Sequence, residues 1–245
     1  MSTAKIDPPQ TDTSRADLVF DAVADDYDAA LAQGIAVSGE DKNFFARGRV
    51  EWLGRCLSDR TAPLGTVIDY GCGTGSGAPF LQEILRPEHV LGIDVSHKSL
   101  AVARADYGGS GTSFAHCDEY VPSGAADIVY CNGTLHHVPV AERAGVIAYI
   151  YRCLKPGGIF ALWENNPWNP GTQYVMLRCP FDKGVVKVTP PAARRLVTDQ
   201  GFEIVRQDFY FIFPRFLAAL RPWEPSLTKT PLGTQYQLLC RKPLQ

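Results

Sequence analysis

The sequence predicts an α/β fold built on a doubly wound, mostly parallel sheet, and three observations carry that prediction. A short β-branched run, Val67-Ile68-Asp69-Tyr70, enters the turn Gly71-Cys72-Gly73-Thr74-Gly75-Ser76-Gly77, and an amphipathic helix, Ala78 to Leu85, leaves it. Strand-like and helix-like stretches then alternate, the order that builds parallel sheets with helical crossovers. The strand-like runs that follow end in Asp94, Asp118 and Asn132. That puts polar side chains at the carboxyl ends of strands, where open α/β sheets bind ligands.

Met1 to about Thr13 is polar and Pro-containing and reads as a disordered tail. From Ser14, a plausible N-cap, Leu18, Phe20, Ala22, Val23, Tyr27 and Leu31 suggest a helix. A Gly-rich break, Gly34 to Gly39, separates it from a second helix, about Asp41 to Leu57, with Phe44, Phe45, Val50, Trp52, Leu53 and Leu57 on one broad face. After the glycine turn, His89 to Val95 reads as the second strand, with Ser96 capping a helix through Leu100 to Ala105. Thr112 to Asp118 is the third strand and Ala126 to Asn132 the fourth. Ala141 to Leu154 is an amphipathic helix stopped by Lys155-Pro156-Gly157-Gly158, and Ile159 to Glu164 is the fifth strand. Thr189-Pro190-Pro191 starts a helix over Ala192 to Asp199. Phe202 to Phe213 and Thr234 to Cys240 read as two late strands.

The glycine spacing narrows the ligand. A dinucleotide fingerprint would need a glycine at Ser76, and no lysine follows the turn as a phosphate loop requires. The glycines alternate instead, at Gly71, Gly73, Gly75 and Gly77, with Asp69 two residues before the first. A carboxylate there would repel a pyrophosphate but suits a ligand carrying an ammonium group. This D/E-x-G-x-G-x-G pattern resembles the class I S-adenosylmethionine (SAM) methyltransferases. Leu154-Lys155-Pro156-Gly157-Gly158 before an apolar strand is a second mark of that family, and the resemblance runs in order from about Thr66 to Glu164.

The resemblance implies a Rossmann-like sheet of seven strands, closed by an antiparallel C-terminal hairpin and covered by an N-terminal helical lid. It divides the chain into a tail at 1–13, a lid at 14–62 and a SAM-binding core at 63–245. Substrate-side insertions fall at about 165–188 and 214–232. The implied cofactor residues are Tyr27, Asp69, Gly71, Cys72, Gly73, Gly75, Asp94 with Val95 for the ribose, Asp118 with Glu119 for the adenine amine, and Asn132, Gly133 and His137.

Beyond that segment the chain becomes individual. Glu164-Asn165-Asn166-Pro167-Trp168-Asn169 sets an acid, amides and an indole just past a central strand, and Asx turns are the competing reading of those amides. Asn132, Glu164, Asn165, Asn166, Trp168 and Arg178 are the candidate substrate contacts, and Tyr27, His136, His137 and Glu164 the candidate catalytic groups. Of the paired histidines, one is expected as a wall or general base. No metal is expected, because neighbouring side chains on an extended segment point apart and no third ligand has helical spacing.

The balance of 24 basic and 26 acidic residues, net −2, gives no electrostatic reason to expect nucleic acid as the main partner. No apolar run is long enough to cross a bilayer, and the first residues hold no signal-peptide core. Seven cysteines without a C-x-x-C pair read as reduced thiols, so a cytoplasmic protein is expected. Monomer and homodimer stay open. The leading function is in-line methyl transfer from SAM to a small-molecule acceptor, giving S-adenosylhomocysteine. Attack on the aminobutyrate arm with release of methylthioadenosine, or a non-catalytic SAM-binding subunit, are the alternatives.

Overall fold

The computed structural model describes residues 34–179, 182 and 184–244. The first expected helix and Tyr27 lie outside the described residues. Helix α1 (Lys42–Cys56) begins where Asp41 accepts a hydrogen bond from Phe44 N at 2.8 Å. Its Val50, Trp52 and Leu53 are buried against the sheet, so this half of the expected lid is a layer of the core. The buried Asp208 accepts from Trp52 Nε1 at 3.2 Å and pairs with Arg206 and Lys229, which pins α1 to the sheet's far strand.

Strand β1 (Thr66–Tyr70) leads through the glycine turn into α2 (Ala78–Phe80), which continues as a π-turn over Leu81–Leu85. Then come β2 (His89–Asp94), α3 (His97–Tyr107), β3 (Thr112–His116) and β4 (Ala126–Asn132). Helix α4 (Arg143–Cys153), β5 (Leu154–Asn165) and α5 (Pro170–Arg178) follow. Helix α6 (Pro190–Asp199), β6 (Glu203–Tyr210), α7 (Glu224–Leu227) and β7 (Gln235–Arg241) complete the order. The sheet reads β3-β2-β1-β4-β5-β7-β6, with β7 antiparallel to both neighbours. This is the predicted seven-stranded doubly wound sheet with its antiparallel C-terminal hairpin.

The sheet separates two cores. Ile128 and Tyr130 face the layer of α1, α2 and α3, while Val129 and Cys131 of the same strand face α4 and α6. A strand buried on both faces has no polar side to show, hence the apolar run Ile128–Cys131 within it. Burying each of the larger side chains stabilises the fold by about 1.5–3 kcal/mol.

Four boundaries differ from the sequence reading. β3 stops at His116, leaving Asp118 on a turn. β5 starts at Leu154, because Lys155 to Gly158 form an irregularity in the strand where the pairing jumps from Ala126–Leu154 to Ile128–Ile159. Helix α5 occupies part of the expected pocket insertion; Asn169 caps it by accepting from Thr172 N at 3.0 Å, and Pro170 sits at the first helical position. β6 ends at Tyr210, because Phe211 turns to φ +62° and seats its ring 5.0 Å from Phe45. Among the described residues, no helix is long and apolar enough to cross a membrane.

Candidate active site

The carboxyl ends of β1, β2, β3, β4 and β5 meet on one edge of the sheet, and the glycine turn sits there because its backbone is hooked to β2. Gly71 N and Cys72 N both donate to Ile93 O, at 2.7 and 3.1 Å. Gly71, Gly73 and Gly75 all adopt φ between +54° and +79°, which favours glycine. Their reasons differ. A Cβ on Gly71 would lie 2.2 Å from Thr134 Oγ1, and one on Gly75 2.9 Å from Ala103 and Phe114. On Gly73 it would meet nothing within 4 Å among the described residues. The first two are glycines for the protein's own packing, whereas Gly73 borders open space.

Two carboxyls stand beside this turn. Asp94 accepts from Gly73 N at 2.8 Å and from Ser96 N at 2.9 Å, so the ends of β1 and β2 are locked together. Burial raises its pKa, against the pull of those backbone N–H groups. Asp69 is almost fully buried. Burial first, then the charge of Asp94, pushes its carboxyl up to about 7, with Arg49 acting in the opposite direction.

At the end of β3 the organiser is a residue the sequence did not single out. His116 is buried, stacks on His97 at 4.0 Å, and donates from Nε2 to Val95 O at 2.8 Å. Its Nδ1 accepts from Asp118 N at 3.3 Å, a tautomer assigned from the hydrogen-bond pattern. Asp118 and Glu119 are exposed on the turn this creates, and Glu119 accepts from His116 N at 3.3 Å.

At the ends of β4 and β5 the chain after Asn132 turns sharply. Gly133 has φ +63° and its N donates to Trp163 O at 2.9 Å, while residues 135–137 form a turn rather than an extended segment. The sequence expectation that the two histidines point apart is therefore corrected: their rings lie 4.1 Å apart. Glu164, fully buried, accepts from Leu135 N at 2.9 Å and from His136 Nδ1 at 2.7 Å. Asp182, also missed from sequence, lies 3.4 Å from His136 Nε2 and 3.7 Å from His137 Nε2. Burial opposes a charge on His136, but the Glu164 and Asp182 carboxylates outweigh it and raise its pKa to about 10. For His137, burial and the neighbouring His136 charge lower the pKa to about 4. At neutral pH the first ring is a fixed cation and the second a neutral base. The general-base expectation thus does not suit His136.

The insertion residues divide. Asn166 is fully buried and spends its amide on backbone, donating to Pro231 O and Gly233 O and accepting from Trp168 N. That ties two loops rather than facing a ligand. Asn165 is half-buried at the end of β5; Trp168 is half-exposed near Phe209. Arg178 is exposed on α5 and stacks over Tyr174 at 4.6 Å.

An open α/β sheet with a glycine turn and acidic groups at its carboxyl strand ends places the chain among the proteins that hold nucleotide-like ligands at this edge. Residues 68–162 match a family model described as a methyltransferase domain. A trans-aconitate 2-methyltransferase of Acidovorax sp. (strain JS42) is 33% identical over 56% of this chain and 49% of its own length. A ubiquinone biosynthesis O-methyltransferase of Thiobacillus denitrificans is 36% identical over 45% of this chain and 47% of its own. The chain thus matches about half the length of these curated relatives. A solved S-adenosylmethionine dependent methyltransferase from Mesorhizobium loti superposes with a TM-score of 0.57 at 24% identity, covering 78% of this chain and 97% of that one; this likeness shows the fold. Residues 68–162 thus match a methyltransferase domain, and the fold around them is that of the class I SAM-dependent methyltransferases, whose cofactor is SAM. The open backbone at Gly73 and the Asp94 carboxylate beside it fit that cofactor.

Proposed function

We propose that this protein transfers a methyl group in line from SAM to a small-molecule acceptor. What supports the reading is the set of carboxyls at the ends of β1, β2 and β3, arranged around the open backbone at Gly73. Asp69 receives the cofactor's ammonium, and Gly71, Cys72, Gly73 and Gly75 give its backbone access. Asp94 and Val95 hold the ribose, Asp118 and Glu119 the adenine amine. Asn132, Gly133 and His137 border the reacting end, with Tyr27 closing from the N-terminal side. When bound, SAM supplies the electrophilic methyl group. The protein's own task is then to hold the acceptor atom about 3–3.5 Å from that carbon, in line with the bond that breaks.

The acceptor side is the turn 132–137 with Glu164 behind it. A fixed cation at His136 and a neutral imidazole at His137 suit an acceptor that carries or readily acquires negative charge, such as a carboxylic acid, enol or phenol. The names of the two relatives, one for trans-aconitate and one for O-methylation in ubiquinone biosynthesis, agree with a small acceptor. Asn165, Trp168 and Arg178 complete that side, and Glu164 acts by holding His136. Among the described residues no disulfide joins any of the seven cysteines, which fits work in the cytoplasm.

The test is mass spectrometry of the purified protein with SAM, alone and with a metabolite extract. S-adenosylhomocysteine formed only with extract, beside one acceptor heavier by a methyl group, is the expected result. Methylthioadenosine well above the enzyme-free control would overturn methyl transfer in favour of attack on the aminobutyrate arm.

A further inference from the structure

We propose that His136, His137 and Asp182 bind a divalent first-row transition cation, with Zn²⁺ the best fit. One donor atom from each lies within 4.8 Å of the others. The two imidazole Nε2 atoms stand 3.4 and 3.7 Å from the same atom, Asp182 Oδ1. Ligands held about 2.0–2.2 Å from a tetrahedral zinc are roughly 3.3–3.5 Å from one another. Of the three edges, one already has that length, a second needs to close by a few tenths of an ångström, and the third, between the two rings, lies within 4.8 Å. A plain ion pair accounts for less, since a charge-assisted N–H···O bond shortens to about 2.7–2.9 Å and engages one ring. Here a carboxylate oxygen stands off from two rings at once.

The surroundings are those of a metal site. Glu164 Oε2 takes His136 Nδ1 at 2.7 Å and is itself anchored by Leu135 N, so Nε2 is turned toward Asp182, and the bound metal would take the place of the Nε2 proton that the metal-free ring carries. A carboxylate on the far nitrogen of a ligating histidine is the usual outer support. Arg143 holds the two segments together, donating to Val138 O at 3.0 Å and to Val186 O. Tyr236 Oη adds a hydrogen bond to Val188 O at 3.0 Å. A set of two imidazoles and one carboxylate favours zinc or its neighbours over magnesium or calcium, and three ligands leave a coordination position open.

A second group within ligand range, His116, Cys117 and Asp118, lacks this character. Both nitrogens of His116 are engaged by backbone, at Val95 O and Asp118 N. The site includes His136 and His137 of the turn that the methyl-transfer reading makes the acceptor side. Resting on the methyl-transfer reading, the cation there would bind an acceptor hydroxyl or carboxylate oxygen and lower the pKa of a hydroxyl.

The experiment titrates the chelator-treated full chain with Co²⁺ and follows its visible d–d absorption, then displaces it with Zn²⁺. One equivalent should bind, with affinity at least tenfold weaker in His137→Ala and in Asp182→Asn and unchanged in Cys117→Ser. These two sites are on a turn and a loop, and a thermal melt of each variant verifies that it is folded. No absorption in the wild type, wild-type affinity in His137→Ala or in Asp182→Asn, or loss in Cys117→Ser would overturn the proposal. Methyl transfer by the chelated, cobalt-free protein at the full rate would overturn the acceptor role while leaving the methyl-transfer reading intact.

Discussion

Replacing Gly73 by alanine separates packing from ligand access. The backbone there has φ +54°, and an added Cβ meets nothing within 4 Å among the described residues. Gly73→Ala therefore incurs mainly the left-handed backbone cost, ~1–2 kcal/mol, a Tm loss of roughly 2–8 °C for a chain of this size. Gly71→Ala incurs the same cost and adds a Cβ 2.2 Å from Thr134 Oγ1 and 2.6 Å from its Cγ2. Thr134 would have to move and give up its hydrogen bond to Asn132 O at 3.2 Å. That variant should lose clearly more stability. If the open space at Gly73 is where the cofactor meets backbone, Gly73→Ala should weaken SAM binding at least tenfold, about 1.4 kcal/mol, despite its small Tm change. Calorimetric titration with SAM beside thermal melts of both variants reads the two effects separately. A SAM Kd for Gly73→Ala within about twofold of the wild type, well under the ~1.4 kcal/mol of a tenfold change, would refute the reasoning.

Two further outcomes follow from the buried charges. Asp69 has its pKa raised from 3.8 to about 7, so the free protein should lose stability as pH rises through that interval, by at most ~1.4 kcal/mol per pH unit. SAM binding should show the opposite trend, tightening up to about tenfold per pH unit until pH 7 and weakening again above about pH 8, where an α-amino group loses its proton. Asp69→Asn should flatten the rise, and a rise that survives in calorimetry would assign it to another group. Glu164→Gln should cost about 3–5 kcal/mol in urea denaturation, because it leaves the buried His136 cation with Asp182 alone. A loss below about 1 kcal/mol would mean that the ring is neutral when folded.

The fold was legible because each core strand declares itself twice, by an apolar run and by what ends it. Ser96 and Thr189 were readable caps, and both accept the expected backbone N–H. Asn169-Pro170 carries the same signal as Thr189-Pro190, yet α5 was read as part of a pocket because the neighbouring amides also fit Asx turns. At the site, Asp94 is named from the end of its strand and Gly73 from the glycine turn, and the two are bonded to each other. His116 and Asp182 escaped for a different reason. One acts through its ring nitrogens on backbone, the other from a loop more than 40 positions beyond the histidines it meets, and neither relation has a local spacing to detect.

The position of β7 sets a condition on synthesis. It lies between β5 and β6, so the inner edge of β5 has no partner until Gln235–Arg241 leaves the ribosome, about 70 positions after β5 ends. At about 5–20 residues per second that edge stays open for roughly 3–14 s. β6 emerges first but can join only through β7. For that interval Phe160, Leu162 and Trp163 lie on a strand with one open edge, a template for intermolecular pairing. A slow codon or a stop between β6 and β7 would lengthen the exposure, and the nascent chain's need for a chaperone should rise with it.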